Sequence, residues 1–362
     1  MSARREEGFV LVATIWFVAL LALVAVIIVG WLERSLGGAT ALQDRIAAKS
    51  EMIGAVNRVA FIMVTSFYSP RGIEVGNADP LGDEAFPNTL AFALSAGTPH
   101  IALDDRPYRE DGTILRFQDD HGLLYLSDPD TYFLVGVLRQ YGVSDNDRAV
   151  LLDRLLDYTD KSLLIRLNGA NADTYIRAGQ PPPRNSLLLT PWEAYRVLGW
   201  DEYGDLWKGK QPFPELVTVR AIAGINVNTA PAPVLRAIPG LDDNAVERLL
   251  NYRANRLILD PGDLDAAAGV ALPFDPLRFA YGPADSLRLT LIAAHDPLVR
   301  EIAIRLNPIG PMPYRIDYAI ERPPTAADHA LVARTDLPSL PMPADIPSPR
   351  EKSLPAALAP GG

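Results

Sequence analysis

From Phe9 to Leu32 the chain reads FVLVATIWFVALLALVAVIIVGWL, without a single charged residue. As a helix rising about 1.5 Å per residue this run is about 36 Å long, enough to cross a hydrocarbon core of about 30 Å. The expectation is a membrane span over residues 9–32. A cleaved secretory signal competes with it. Such signals have apolar regions of about 7–15 residues ending at a small-residue cleavage site, whereas this run ends Gly30-Trp31-Leu32-Glu33-Arg34. Charge leaves the orientation open, because Arg4 and Arg5 are offset by Glu6 and Glu7 while Arg34, Arg45 and Lys49 follow the span.

No proline occurs between Phe9 and Ser69, so nothing stops a helix before Pro70. Leu42, Ile46, Ile53, Val56, Ala60, Val64 and Phe67 recur at helical spacing between polar residues such as Gln43, Lys49, Glu51 and Asn57. This predicts an amphipathic continuation over 33–69. Gly37-Gly38 is its weak point, costing roughly 2 kcal/mol relative to two alanines.

Beyond Pro70 the texture changes. Thr113–Gln118 and Leu123–Leu126 alternate between turn clusters such as Glu110-Asp111-Gly112, and Leu287–Ala293, Arg300–Leu306 and Tyr314–Ile320 alternate late in the chain. A sheet with one buried face requires this pattern. Between lie about 150 residues of mainly helical signal, so the predicted class is α+β. A long N-terminal helix lies on an antiparallel sheet (70–129 and 286–322) interrupted by an inserted helical domain (130–285). RLLDY at Arg154–Tyr158 returns as RLLNY at Arg248–Tyr252, which fits either a duplicated hairpin unit or chance. Residues 323–362 are Pro-rich and read as a disordered tail.

The composition excludes some chemistry. There is no Cys among 362 residues, hence no disulfide, thiolate metal site or cysteine nucleophile. A net charge of −10 argues against wholesale nucleic-acid binding, though a local basic patch escapes that average. The string INVNTAPAPVLRAIPGLDDNAVERLLNYR (Ile225–Arg253) outlines a helix-hairpin-helix about Pro239-Gly240-Leu241. Phosphate binding at such a hairpin needs exposed backbone N–H groups without nearby negative charge, and Asp242 and Asp243 stand where the phosphate would lie. Their expected role is capping. His100, His121, His295 and His329 are too scattered for a zinc site, and no nucleophile motif occurs. Ser144 with Asp147 has capping-box spacing and predicts a helix over 148–160. Asp104, Asp105, Asp119, Asp120, Asp128 and Asp130 are the loop acids to weigh for calcium, without an EF-hand pattern to organise them.

Four stretches together resemble protein K of type II secretion systems, the large minor pseudopilin. RREEGFVLVATIWFVALLALV is similar to a prepilin leader, and ALDDRPYREDGTILRFQDDHGLLYLSD to the family's first strands. LLDYTDKSLLIRLNGANADTYIRAGQPPPRNSLLLTPWEAYRVLGW with INVNTAPAPVLRAIPGL resembles its helical insertion, and the strands up to Arg322 resemble its closing sheet. The resemblance implies a leader over residues 1–8, cut by a prepilin peptidase between Gly8 and Phe9, with Phe9 N-methylated. Most pilin-like subunits carry a glutamate at the fifth mature position, which here is Ala13, as the resemblance to protein K implies for a subunit with no neighbour above it. A carboxylate at that depth costs about 2.5–3.5 kcal/mol unless paired. Some members bind calcium, but no ligand set maps residue by residue onto this sequence.

The function so implied is structural and not enzymatic. It is a subunit at the pseudopilus tip that helps initiate assembly for secretion across the outer membrane. Its partners would be minor pseudopilins I and J, the prepilin peptidase and the inner-membrane platform, with a cytoplasmic N-terminus and a periplasmic domain. The contrasting readings are a membrane-anchored DNA-binding protein using the Pro239–Leu241 hairpin, and an anchored hydrolase with a nucleophile beside one of the histidines.

Overall fold

The computed structural model describes residues 7–75, 99–128, 130–162, 164–209, 211–273, 276–293 and 296–342. Expectations falling on residues 1–6, His295 and 343–362 lie outside the described residues. The chain divides into two compact units, residues 1–54 and 55–362. One helix, α1 (Glu7–Thr65), makes up the first unit and continues into the second, and Gly37-Gly38 is helical within it.

In the first unit, Leu11–Arg34 is apolar enough to cross a membrane, and none of it is buried inside the protein. An uncovered apolar helix of this length calls for lipid around it.

In the second unit α1 ends at Thr65, short of the expected Ser69. Phe67–Ser69 (β1) turns back on Gly72–Glu74 (β2), which also pairs with His100–Ile101 (β3). Pro70 biases the residue before it toward extended backbone, and Gly72 has φ +136, where a Cβ would strike the Ile101 carbonyl. A hairpin therefore takes the last positions of the predicted helix. The predicted stripe is corrected as well. Val56 and Ala60 are buried, but Leu42, Ile46, Ile53, Val64 and Phe67 are exposed. The packed face is instead Ala55, Val59, Ile62 and Met63. The helix carries two apolar sectors, and periodicity alone does not say which one meets the domain.

The main sheet has the order β12-β11-β10-β5-β4, antiparallel throughout. Its strands are β4 (Asp104–Glu110), β5 (Thr113–Asp119), β10 (Ser286–Ala293), β11 (Val299–Leu306) and β12 (Tyr314–Arg322). The late strands find their partner in β5, with Leu289 opposite Phe117. Leu115, Phe117, Leu287, Leu289, Leu291, Ile302 and Ile304 form one apolar buried face. The opposite face was expected to meet solvent, yet every residue of β5 and β10 is buried. Arg116, Gln118, Arg288, Thr290 and Glu301 alternate with the apolar set and are buried too. Alternation reports side-chain polarity, and here the polar side is satisfied by protein groups in place of water.

The chain between β5 and β10 is mainly helical: α2 (Tyr132–Gln140), α3 (Asp145–Thr159), α4 (Ala172–Arg177), α5 (Gly204–Lys208), α6 (Ala232–Arg236), α7 (Asp243–Arg253) and α8 (Pro261–Ala268). They share one core with Tyr175, Trp200, Phe213 and Leu249 at its centre. Ser144 caps α3 by accepting from the Asp147 N–H at 3.3 Å, so the helix starts at Asp145, three residues before the expected 148. Two short parallel pairs were not foreseen. They join β6 (Leu124–Tyr125) to β7 (Val217–Thr218), and β8 (Ile225–Asn226) to β9 (Phe279–Ala280).

The disordered-tail expectation fails for residues 323–342. Thr325 and Asp328 form a capping box for α9 (Ala326–Val332). Leu337 and Leu340 are buried, and Arg109 of edge strand β4 bridges to Ser339. The Arg109 N–H donates to the Pro338 carbonyl at 2.8 Å, and the Leu340 N–H to the Arg109 carbonyl at 3.1 Å. Averaging composition over the whole proline-rich segment hid three residues, Asp328, Leu337 and Leu340, that the domain buries.

Candidate functional site

Three places bear on function: the N-terminal helix, the sheet's polar face, and the junction between strand β5 and the insertion. Gly8, Phe9 and Ala13 all lie in α1, and Ala13 is exposed. In the second unit α1 also shows Phe61 and Val64 to solvent, 52% and 39% exposed. Arg58 Nε, one turn away, donates to Glu110 Oε1 at 2.6 Å and fixes this part of the helix to β4.

On the polar face three buried arginines meet four carboxylates. Arg322 donates to Asp328 Oδ2 at 2.7 Å and to Glu215 Oε1 at 3.1 Å. Arg116 reaches Asp328 Oδ1 at 3.3 Å and Glu215 Oε2 at 3.5 Å, and also bonds Asp105. Arg288 donates to the Pro214 carbonyl at 2.8 Å and to that of Glu215. Glu301 accepts from Tyr318 Oη at 2.7 Å and Trp192 Nε1 at 3.3 Å. The cluster thus joins β5, β10, β11 and β12 to the Phe213–Leu216 turn of the insertion and to α9. Burial pushes Glu215 up from the usual carboxylate range despite the arginines around it. Burial also raises Asp328, but hydrogen bonds and charge from Arg322, with Thr325, outweigh it and leave its pKa lowered. None of these six Arg, Glu and Asp side chains other than Asp105 was singled out from sequence. Their only signal was polar residues in strand positions, which also describes a solvent face.

At the junction, Asp119 is fully buried and accepts four hydrogen bonds. Asn226 Nδ2 and Thr229 Oγ1 donate to Oδ2 at 2.9 and 2.7 Å, and the Ala284 and His121 N–H groups donate to Oδ1 at 2.8 and 3.1 Å. Desolvation raises its pKa even so, with these bonds and the His121 charge opposing. Asn228 closes the loop, donating to the Ile258 carbonyl at 2.8 Å while its Oδ1 accepts from the Ile258 N–H at 3.0 Å. Arg253 Nη1 donates to the Val227 and Ala230 carbonyls at 3.0 and 2.7 Å. Gly122 sits so close that a Cβ would lie 2.9 Å from the Thr229 carbonyl. The string INVNTA is therefore a polar latch that seats the insertion on the end of β5.

The loop acids weighed for calcium are not gathered. Asp104 is held by Arg106, Asp105 by Arg116, Asp119 by the latch, Asp120 by Ser286, and Asp130 by Arg278, while Asp128 accepts from the Asp130 N–H. Among the described residues no group of three or more His, Asp or Glu is placed to hold a metal ion. At the hairpin, Gly240 has φ +90 and Asp242 Oδ1 accepts from the Ala245 N–H at 2.7 Å, so the carboxylate caps α7 where a phosphate would have bound. Asp243 pairs with Arg236 at 2.8 Å.

Comparison with known proteins agrees with this architecture. Residues 225–277, beginning with the latch, match the family described as type II secretion system (T2SS), protein K. No curated protein matches the chain. A chain from the crystal structure of the GspK-GspI-GspJ complex of the enterotoxigenic Escherichia coli type 2 secretion system superposes with a TM-score of 0.52 at 13% identity, over 80% of this chain and 100% of that one. The resemblance to protein K of type II secretion systems is thereby borne out, in sequence over residues 225–277 and in fold over four-fifths of the chain.

Proposed function

We propose that this chain is a minor pseudopilin of a type II secretion system that takes the tip position of the pseudopilus and helps initiate its assembly. The match of residues 225–277 to the protein K family carries the reading. The fold supports it, because an apolar helix that its own unit leaves uncovered precedes a domain whose bulk is an insertion into the sheet. On this reading a prepilin peptidase cuts between Gly8 and Phe9, Phe9 is N-methylated, the helix anchors the chain in the inner membrane, and the second unit stands in the periplasm. Homologues of pseudopilins I and J pack against exposed apolar positions of α1 such as Val64, and the platform below extends the filament. Ala13, uncharged, suits a subunit with nothing above it.

N-terminal sequencing of the protein isolated from membranes, with co-purification of the I and J homologues, tests this. A mature chain starting at Phe9 and a recovered three-subunit complex support it. An intact Met1, or a cut beyond residue 30, overturns it.

A further inference from the structure

The acidic average of this chain is locally inverted. In the second unit a cleft of about 550 Å³ opens between the β1–β4 region and the C-terminal end of α7, within the size range of small-ligand sites. Its lining includes Arg71, His100, Arg106, Arg253 and Arg256, and its one acid is Asp104. Asp104 is already engaged by Arg106, which donates Nε and Nη2 to its two carboxylate oxygens at 2.8 and 2.7 Å. That pair is neutral as a unit, which leaves Arg71, Arg253 and Arg256 as three positive charges on the wall in a protein of net charge −10.

Arg253 is the positioned member of this set. Both of its bonds, to the Val227 and Ala230 carbonyls, use Nη1, and no acceptor for Nη2 or Nε is found among the described residues. Two neutral carbonyls orient the guanidinium without cancelling its charge. Burial lowers its pKa, and Arg106 pushes the same way against Asp104, as expected of a cation short of negative charge. Arg256 is exposed and lies over the Tyr252 ring at 5.8 Å, so it extends the positive wall outward. The end of α7 brings its negative dipole here, but that amounts to about half a charge. The Tyr252 carbonyl there also accepts from Arg256 N–H at 2.9 Å. Planar guanidinium forks on a concave wall match the paired oxygens of carboxylates and phosphates.

We propose that this cleft binds a multivalent oxyanion, carboxylate or phosphate in chemistry, with Arg253 and Arg256 as its principal ligands. The site is distinct from the Pro239–Leu241 hairpin and does not depend on the secretion reading. A free small anion and an acidic peptide segment present the same chemistry, and the test separates them. The full chain in neutral detergent is titrated with citrate, pyrophosphate and a hexa-aspartate peptide at fixed ionic strength, following thermal unfolding and heat of binding. A saturable rise in Tm is expected, together with affinity at least tenfold weaker in Arg256→Glu, whose unliganded Tm stays at the wild-type value, and weaker binding as sodium chloride is raised. Response to citrate or pyrophosphate alone identifies a free anion, and tighter peptide binding identifies an acidic segment. No saturable response to any probe, or an undiminished response in Arg256→Glu, overturns the proposal.

Discussion

Buried polar residues in this protein act as fasteners, and their value depends on all partners being present. Asp119 would be an isolated buried carboxylate without Asn226, Thr229 and two backbone donors. Asn226→Ala removes one donor and also the acceptor of the Asn228 N–H. The expected cost is about 2–3 kcal/mol, read as a lower urea midpoint, because a buried group left unsatisfied loses more than a bond's net worth. Asn226→Asp should cost at least as much, since it sets two carboxylates face to face. Asp328 gives a pH test. Its folded pKa lies below the usual carboxylate value, so its contribution is present above about pH 4 and is lost as pH falls through the folded pKa. Breaking a buried ion pair from one side costs about 3–5 kcal/mol. Asp328→Asn should show most of that deficit at pH 6, and the gap to wild type should narrow between pH 4 and pH 2. A constant gap would mean that Asp328 is held by packing alone. Little of this was legible beforehand. Asn226 and Thr229 stood in a string noted for its specificity, but their partner lies more than a hundred residues away, and no local pattern encodes that distance.

Among the elements, the long helix, β5 and the three late strands could be read from period and turn chemistry, and the β5–β10 pairing followed because the late strands had no other partner. The misses share one cause, namely that local patterns do not say what lies against a surface. The polar sheet face was buried under the insertion and α9, and the stripe assigned to packing on α1 is instead its exposed side. Residues 337–340 are the clearest case. They lie along β4, where an open edge would be a template for association, and are held by two backbone bonds at Arg109. Leu340→Pro deletes one of these bonds and disturbs the buried Leu340 site. It should lower Tm by several degrees, at about 4–8 °C per kcal/mol for small domains and less for larger ones, and should increase self-association in light scattering. Val64 tests the other surface of the same unit. Because it is 39% exposed, Val64→Glu should leave Tm within about 1 °C of wild type, as surface changes usually do. Loss of co-purification with the I and J homologues is the expected effect, and intact co-purification would remove this face of α1 from the proposed assembly contact.

At the scale of the whole molecule, anchoring and processing are separable because they reside in different residues. Leu11–Arg34 has no part buried inside the protein, and each large apolar side chain moved from lipid to water forfeits about 1.5–3 kcal/mol. With leucines, isoleucines and valines throughout that segment, the sum far exceeds anything that salt or alkaline carbonate can offset. Cleavage between Gly8 and Phe9 removes residues with two positive and two negative charges, so it changes neither the net charge of −10 nor the span. Gly8→Leu should therefore give a chain that retains its leader, read as a larger intact mass and an N-terminus at or near Met1. That chain should still be found in the carbonate-washed membrane pellet and still require detergent for release. Secretion should nevertheless fail in a strain carrying only this variant, because an uncut leader blocks the mature N-terminus that assembly uses. If Gly8→Leu is processed and secretes normally, Gly8 is not the peptidase site. If it is released by carbonate, the segment after it is not the anchor, and the two results fail different halves of the reading.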